Sequence, residues 1–204
     1  MSCSVAGACP AQPDLFTSRI RLRRLVNPPP RTMPYDLEPG YYQSGGVWLF
    51  GNARLLQLDL GYVRGAFGPN RHTSAQLNEV EAEAERIVLG GRILVCGIHC
   101  EAHKRAAVVP LRWGAPRIVV LSGGFRHHLG PELKEELFRT TRLWRYQFDP
   151  QTDLVISRRA PDKLPTYATH NPTVDRLIEL IVQGQWPGLR FSGDPLENLL
   201  ARSA

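Results

Sequence analysis

The sequence predicts an α/β protein of Rossmann-like type, with a mostly parallel sheet and helices on both faces. Two observations carry that expectation. Short apolar runs alternate with amphipathic stretches from Val47 to Gln183, the order that builds βαβ units. Cap and stop signals sit at the joins between them. At 204 residues, with 43% hydrophobic and 22% charged side chains, the chain can bury a core without a disulfide scaffold. A disordered or coiled-coil composition does not fit.

Val47 to Gly51 and Leu60 to Ala66 are the first candidate strands. Thr73 then opens a helix, because its hydroxyl can cap the turn while Gln76, three residues on, answers as a capping box. Leu77, Val80, Ala84, Ile87 and Val88 follow the helical period to Leu89, and Gly90 and Gly91 stop it. Arg92 to Gly97 reads as a buried strand, Cys100 to Arg112 as a helix that Pro110 should kink or shorten, and Arg117 to Leu121 as the next strand. Pro131 at a first helical position predicts a helix through Leu133, Leu137 and Phe138. Asp153 to Ser157 is a further strand. Asn171 and Pro172 start a final helix with Val174, Leu177, Ile178 and Ile181 on one face, for which burial in the chain's own core is expected ahead of the alternative, a homodimer contact. The expected division is a basic, proline-rich arm at 1–40, a Rossmann-like domain at 41–184 and a tail at 185–204.

In a parallel sheet of this kind, ligands sit beyond the carboxyl ends of the strands. That directs attention to the loops at 65–73, 97–103, 122–131 and 158–172. In the first, Gly65, Gly68 and Arg71 suit a phosphate held by exposed backbone N–H groups, and a plain tight turn fits as well. The second, Cys96-Gly97-Ile98-His99-Cys100-Glu101-Ala102-His103, is the most chemically loaded. His99 and His103, like Cys96 and Cys100, are four apart, as zinc ligands on one helix face would be. Packed thiols and a polar helix start are the rival reading, and no metal is assigned. The third, Ser122, Gly123 and Gly124 followed by Arg126 and the pair His127 and His128, offers close backbone approach to a ligand or a solvated glycine turn. In the fourth, Arg158, Arg159, Lys163, Tyr167, His170 and Asn171 mix positive charge with an aromatic ring, a composition suited to single strands.

The net charge is +6, and most of it comes from residues 1–35, where Arg19, Arg21, Arg23, Arg24 and Arg31 are opposed by Asp14 alone. The arm is therefore either a disordered leader or a grip on a phosphate backbone. No GxSxG or HExxH segment and no carboxylate pair at the strand ends occurs, so covalent catalysis is not expected. The 65–73 loop is neither GxGxxG nor a Walker loop, and no cofactor is expected. Arg112 and Arg117 interrupt the stretch from Val108 to Gly124, so no membrane span is expected. Met1 to Pro13 lacks the features of a secretory signal, which makes the expected location cytoplasmic, with the four cysteines reduced.

Gly97, Ile98, Ala102 and His103, followed by Ala106, resemble the GIDxxAH segment of the DNA-processing protein A (DprA/Smf) family, a Rossmann-like group of the wider SLOG superfamily. Gly114, Ile118, Val120, Leu121 and Gly124, then Pro131 and Glu132, are similar to its GxxIxVLxxG strand and PEN turn. Val47 to Gly51 with Asn52 is similar to its LYxxGN segment. The departures are specific. Arg64, Gly65 and Ala66 stand in place of the family's GSR signature, His99 replaces its aspartate, and His170, Asn171 and Pro172 replace its RNR triplet. The resemblance implies a non-catalytic protein that binds single-stranded DNA and assists loading of a RecA-type recombinase during DNA uptake, with dimers common. On that reading Arg71, Arg126, Arg158 and Arg159 hold the backbone while Tyr167 or Phe125 stacks a base. The alternative is a SLOG-type nucleotide sensor or nucleoside-phosphate hydrolase, in which the same glycine loops hold one small ligand.

Overall fold

The computed structural model describes residues 41–44, 46–68, 71–165 and 171–185. The expected arm at 1–40, the tail after residue 185, Tyr167 and His170 lie outside the described residues. Six strands form one sheet: β1 (Tyr41–Ser44), β2 (Val47–Gly51), β3 (Leu60–Gly61), β4 (Ile93–Gly97), β5 (Arg117–Leu121) and β6 (Leu154–Ser157), in the spatial order β1-β2-β6-β5-β4-β3. Strands β3 to β6 are mutually parallel, and β2 and β1 extend the sheet antiparallel beyond β6. Four helices accompany them among the described residues: α1 (Ser74–Leu89), α2 (Glu101–Arg112), α3 (Phe125–Leu129) and α4 (Pro172–Val182).

Alternate residues of each buried strand face opposite layers. Leu94, Cys96, Val119, Leu121 and Val155 pack with the apolar faces of α1 and α2. Ile93, Val95, Ile118, Val120, Leu154 and Ile156 pack with Val174, Leu177, Ile178 and Ile181 of α4. Each such side chain contributes about 1.5–3 kcal/mol by leaving water. The expected Rossmann-like α/β architecture with helices on both faces is therefore what the chain adopts. The α4 stripe is buried in the chain's own core, the favoured of its two readings, and is not available as a dimer contact. None of the helices among the described residues is long and apolar enough to cross a membrane.

The layering follows from handed crossovers. From β3 through β5 each strand is laid beside the last in one direction, so α1 and α2 share a face. After β6 the chain returns across the opposite face, and α4 packs against β4 and β5. As a result α2 and α4 start on opposite sides of the carboxyl end of β4.

Local signals behave as their chemistry requires. Thr73 Oγ1 accepts the Gln76 N–H at 3.3 Å and Gln76 Oε1 accepts the Thr73 N–H at 2.8 Å, completing the capping box on α1. Pro110 lies in the last turn of α2, which ends at Arg112. Two expectations need correction. The strand expected over Leu60 to Ala66 is only Leu60–Gly61, and the chain then turns through a 3-10 segment, Arg64–Ala66. Gly61 lies so close to α1 that a Cβ there would be 2.8 Å from Ile87 Cγ2. The helix expected from Pro131 is also not formed. The helix comes earlier, as α3, and Gly130 ends it at φ 73°. Leu133 then adopts φ 59°, and Glu136 turns inward to a buried ion pair with Arg117. That pair outweighs the local amphipathic period.

His128 on α3 carries a pH dependence. Burial, aided by the neighbouring His127, pushes its imidazole down to about 4, and its Nε2 is buried without a hydrogen-bond partner. Its folded value is below the unfolded one of about 6.5. The unfolded chain therefore binds more protons in that window, and stability falls as pH drops through it. Acidification from pH 7 to pH 5 is expected to cost about 2 kcal/mol through this group. Urea unfolding of His128→Leu should show a correspondingly shallower loss between those pH values.

Candidate functional site

The carboxyl end of β4 delivers Gly97 into the crevice where α2 and α4 begin. His103, in the first turn of α2, is 2% exposed. Its Nδ1 accepts the Gly97 N–H at 3.0 Å, so the proton must sit on Nε2, which donates to Asp175 Oδ1 at 3.0 Å. Burial lowers the His103 value, and the bond to Asp175 only partly offsets this, so the ring is held neutral. Burial alone would raise Asp175, but the hydrogen bond from His103 and the adjacent His99 ring outweigh it and hold the carboxyl well below the usual range. Asp175 Oδ2 also accepts the Gly68 N–H at 3.4 Å, tying the first loop to α4. With both nitrogens engaged, His103 has no lone pair left to serve as a general base.

His99 comes in beside this pair. Its ring centroid is 4.5 Å from that of His103, and its Nε2 lies 3.3 Å from Asp175 Oδ1. The His99 side chain is 4% exposed, yet neither ring nitrogen has a hydrogen bond of good geometry. Cys100 is the N-cap residue of α2, and its Sγ–H donates to Ala66 O at 3.6 Å. Burial pushes the Cys100 thiol up, and it drives Cys96, which faces the α1–α2 layer, up to about 12. Phe67 packs on the His103 ring at 5.7 Å and Tyr62 stacks on Phe67 at 5.2 Å, roofing the cluster.

Outside that roof lies a cleft of about 380 Å³ lined by Gly65, Phe67, Arg71, His72, Gln76, Glu79, Val80 and Glu83. His72 Nε2 donates to Gly65 O at 2.9 Å and fixes the loop against α1. Gly65 and Arg71 of the first loop therefore do meet at one cavity. Gly68, at φ 101°, uses its N–H on Asp175 instead.

The third and fourth loops are built against each other. Gly124 N–H donates to Lys163 O at 2.7 Å, Arg126 N–H to Pro161 O at 3.1 Å, and Ser157 Oγ to Gly123 O at 2.8 Å. A Cβ on Gly123 would lie 2.8 Å from Pro165, and one on Gly124 would lie 2.2 Å from Pro161 O. The close approach that these glycines allow is thus taken by residues 160–165. Ser122 is half-buried beside them. Arg126, Arg158 and Arg159 are exposed, with Arg126 paired to Asp162 at 2.8 Å and Arg159 donating to Leu164 O at 3.0 Å. Asn171 caps α4 by accepting the Val174 N–H at 3.3 Å. Phe125, offered as a stacking ring, is fully buried against Phe50, at a centroid distance of 6.1 Å, and cannot reach a base. Glu101 is exposed in the first turn of α2, where the helix dipole favours it.

Sequence reasoning passed over Asp175. The signal available was a carboxylate set inside the apolar stripe of α4, next to Val174 and Leu177, where a solvated face was not on offer.

No protein-family model and no curated protein matches the chain. Among solved structures it is similar to DNA processing protein A from Helicobacter pylori, studied for its single-stranded DNA binding mode, at 15% identity and a TM-score of 0.44. The match covers 66% of this chain and 56% of that one.

Proposed function

We propose that this chain is a DprA-like protein that binds single-stranded DNA along the carboxyl rim of its parallel strands and performs no covalent chemistry on it. The observation that carries this reading is the exposure of Arg71, Arg158 and Arg159, on loops that leave that rim, and of Arg126 in the first turn of α3. Phosphates attract such a set, and a surface pair such as Arg126 with Asp162 costs little to exchange for a phosphate. The motif resemblance around Gly97 and His103 supports the same class. The finer reading, assistance in loading a RecA-type recombinase by a dimer, rests on that resemblance. The basic arm would add phosphate contacts, and Tyr167 a stacking ring.

One observation favours a second reading, a small-nucleotide sensor or nucleoside-phosphate hydrolase. The 380 Å³ cleft beside Gly65, Arg71 and His72 is within the size range of small-ligand sites.

Fluorescence anisotropy of a labelled oligonucleotide at several salt concentrations separates the two. Binding should strengthen with oligonucleotide length and fall steeply with salt. The Arg126→Ala, Arg158→Ala double variant should weaken it and reduce the slope of log K against log salt by about 1.4, as loss of two single-strand phosphate contacts requires. Absence of DNA binding, together with a thermal shift on adding AMP or ATP, would transfer the assignment to the nucleotide reading.

A further inference from the structure

We propose that His99, Cys100 and His103 form a binding site for one transition-metal ion, with zinc(II) the best match to the donor set. One donor atom from each of the three lies within 4.8 Å of those of the other two. Two imidazoles and a thiolate are the soft and borderline ligands that zinc prefers over magnesium or calcium.

An independent observation points to a missing partner. The His99 side chain is 96% withdrawn from solvent and both its nitrogens are without a hydrogen bond. A buried polar group left this way is costly, and native structures rarely keep one without a reason. Its neighbours do not resolve the deficit. Asp175 Oδ1 lies 3.3 Å from His99 Nε2 without hydrogen-bond geometry, and Gly97 offers its N–H to His103 rather than to His99. Gly97 itself is shaped for this ring, since a Cβ there would lie 2.7 Å from His99 Nδ1.

The remaining groups fit a cation. Cys100 is the N-cap residue of the 12-residue helix α2, and its sulfur caps none of the helix N–H groups, which leaves it as a third donor beside the two rings. On binding, the thiol proton leaves to solvent and the bond to Ala66 O is replaced by the bond to the metal. One thiolate and the Asp175 carboxylate then balance a divalent ion inside a buried crevice. His103 gives up the bond from the Gly97 N–H, because Nδ1 holds the lone pair the ion needs, and its Nε2–H stays on Asp175. Asp175, beside both rings, acts as the carboxylate that orients metal-bound histidines. Such an ion would clamp α2, on one face of the sheet, to α4, on the other, through Asp175.

The test uses the full chain, stripped with chelator and titrated with cobalt(II) and with zinc(II). The expected result is one ion per chain, a thiolate-to-cobalt charge-transfer band, and a rise in Tm with zinc. Cys100→Ser should abolish the band, whereas Cys96→Ser and the double variant Cys3→Ser, Cys9→Ser should keep it. Asp175→Asn should weaken binding about 10- to 100-fold. His99→Leu supplies a readout independent of occupancy. It removes two orphaned nitrogens, so the metal-free Tm should be unchanged or higher while the zinc-induced rise disappears. Absence of the band, its survival in Cys100→Ser, or a zinc-induced Tm rise retained in His99→Leu would overturn the proposal.

Discussion

Arg117→Met is expected to cost about 3–5 kcal/mol of folding stability and to lower Tm by roughly 10 °C in a domain of this size. Arg117 starts β5 and is completely buried. Its Nε donates to Asp153 Oδ2 at 2.9 Å, one terminal nitrogen donates to Ala107 O at 3.0 Å, and the other donates to Glu136. Arg145 closes the cluster, approaching Glu136 at 3.4 Å and donating to Asp153. Burial works against the Arg117 charge, but Asp153 and Glu136 outweigh it and hold the guanidinium above its ordinary value. The two carboxylates are equally buried. Removing the arginine leaves two anions to one partly exposed cation, and uncompensated buried charge makes the loss large.

The sign of the effect separates pair-breaking from intrinsic value. Replacing Arg117, Asp153 and Glu136 together with methionine, asparagine and glutamine should recover much of the loss, because whole buried ion clusters often contribute little over neutral replacements. Chemical denaturation of the single and triple variants measures both. A loss below about 1 kcal/mol in Arg117→Met would mean that water enters and solvates the carboxylates, contradicting the closed cluster.

The same arginine shows where a sequence stops being legible. In the linear pattern Arg117 is a charge that interrupts an apolar run, and nothing nearby reveals that Asp153 and Glu136 come to meet it. Local signals were readable because their partners lie within one or two turns: the Thr73 capping box, the Asn171 cap and the 3.6-residue stripes of α1 and α4. The alternation of those stripes with apolar runs was enough to place helices on both faces of a mostly parallel sheet. Long-range partners were not readable. Asp175 meets His103 from 72 residues away, and no spacing rule encodes that meeting. The helix expected after Pro131 failed for the same reason, since Glu136 follows a distant guanidinium and not its own period. Of the loop candidates, Gly65 and Arg71 share a cleft, and His103 holds Asp175. Ser122, Gly123 and Gly124 have the same letters whether a ligand or another loop lies over them.

That last ambiguity yields the second large effect. Gly124→Ala is expected to destabilise the fold by about 3 kcal/mol, near the upper range for forced overpacking. The backbone angle at Gly124, φ −69°, suits alanine, so conformational strain is not the cause. The obstacle is space. A Cβ there would lie 2.2 Å from Pro161 O, 2.3 Å from Ala160 O and 2.5 Å from Pro161 C. All three are backbone atoms that no rotamer change can move. To admit the methyl group, residues 160–165 must lift and stretch the bonds from Gly124 N–H to Lys163 O and from Arg126 N–H to Pro161 O. Gly65→Ala is the matching contrast, since its Cβ would meet only Val80 Cγ2, at an ordinary 3.5 Å, and its stability should stay within about 0.5 kcal/mol of the parent. A glycine kept for ligand approach leaves stability alone and weakens binding when replaced, whereas a glycine kept for packing lowers Tm first. Thermal unfolding and oligonucleotide anisotropy on the two variants sort them. An unchanged Tm in Gly124→Ala would show that residues 160–165 do not rest on this glycine, and would reopen the 122–124 loop as a place where a ligand's backbone can approach.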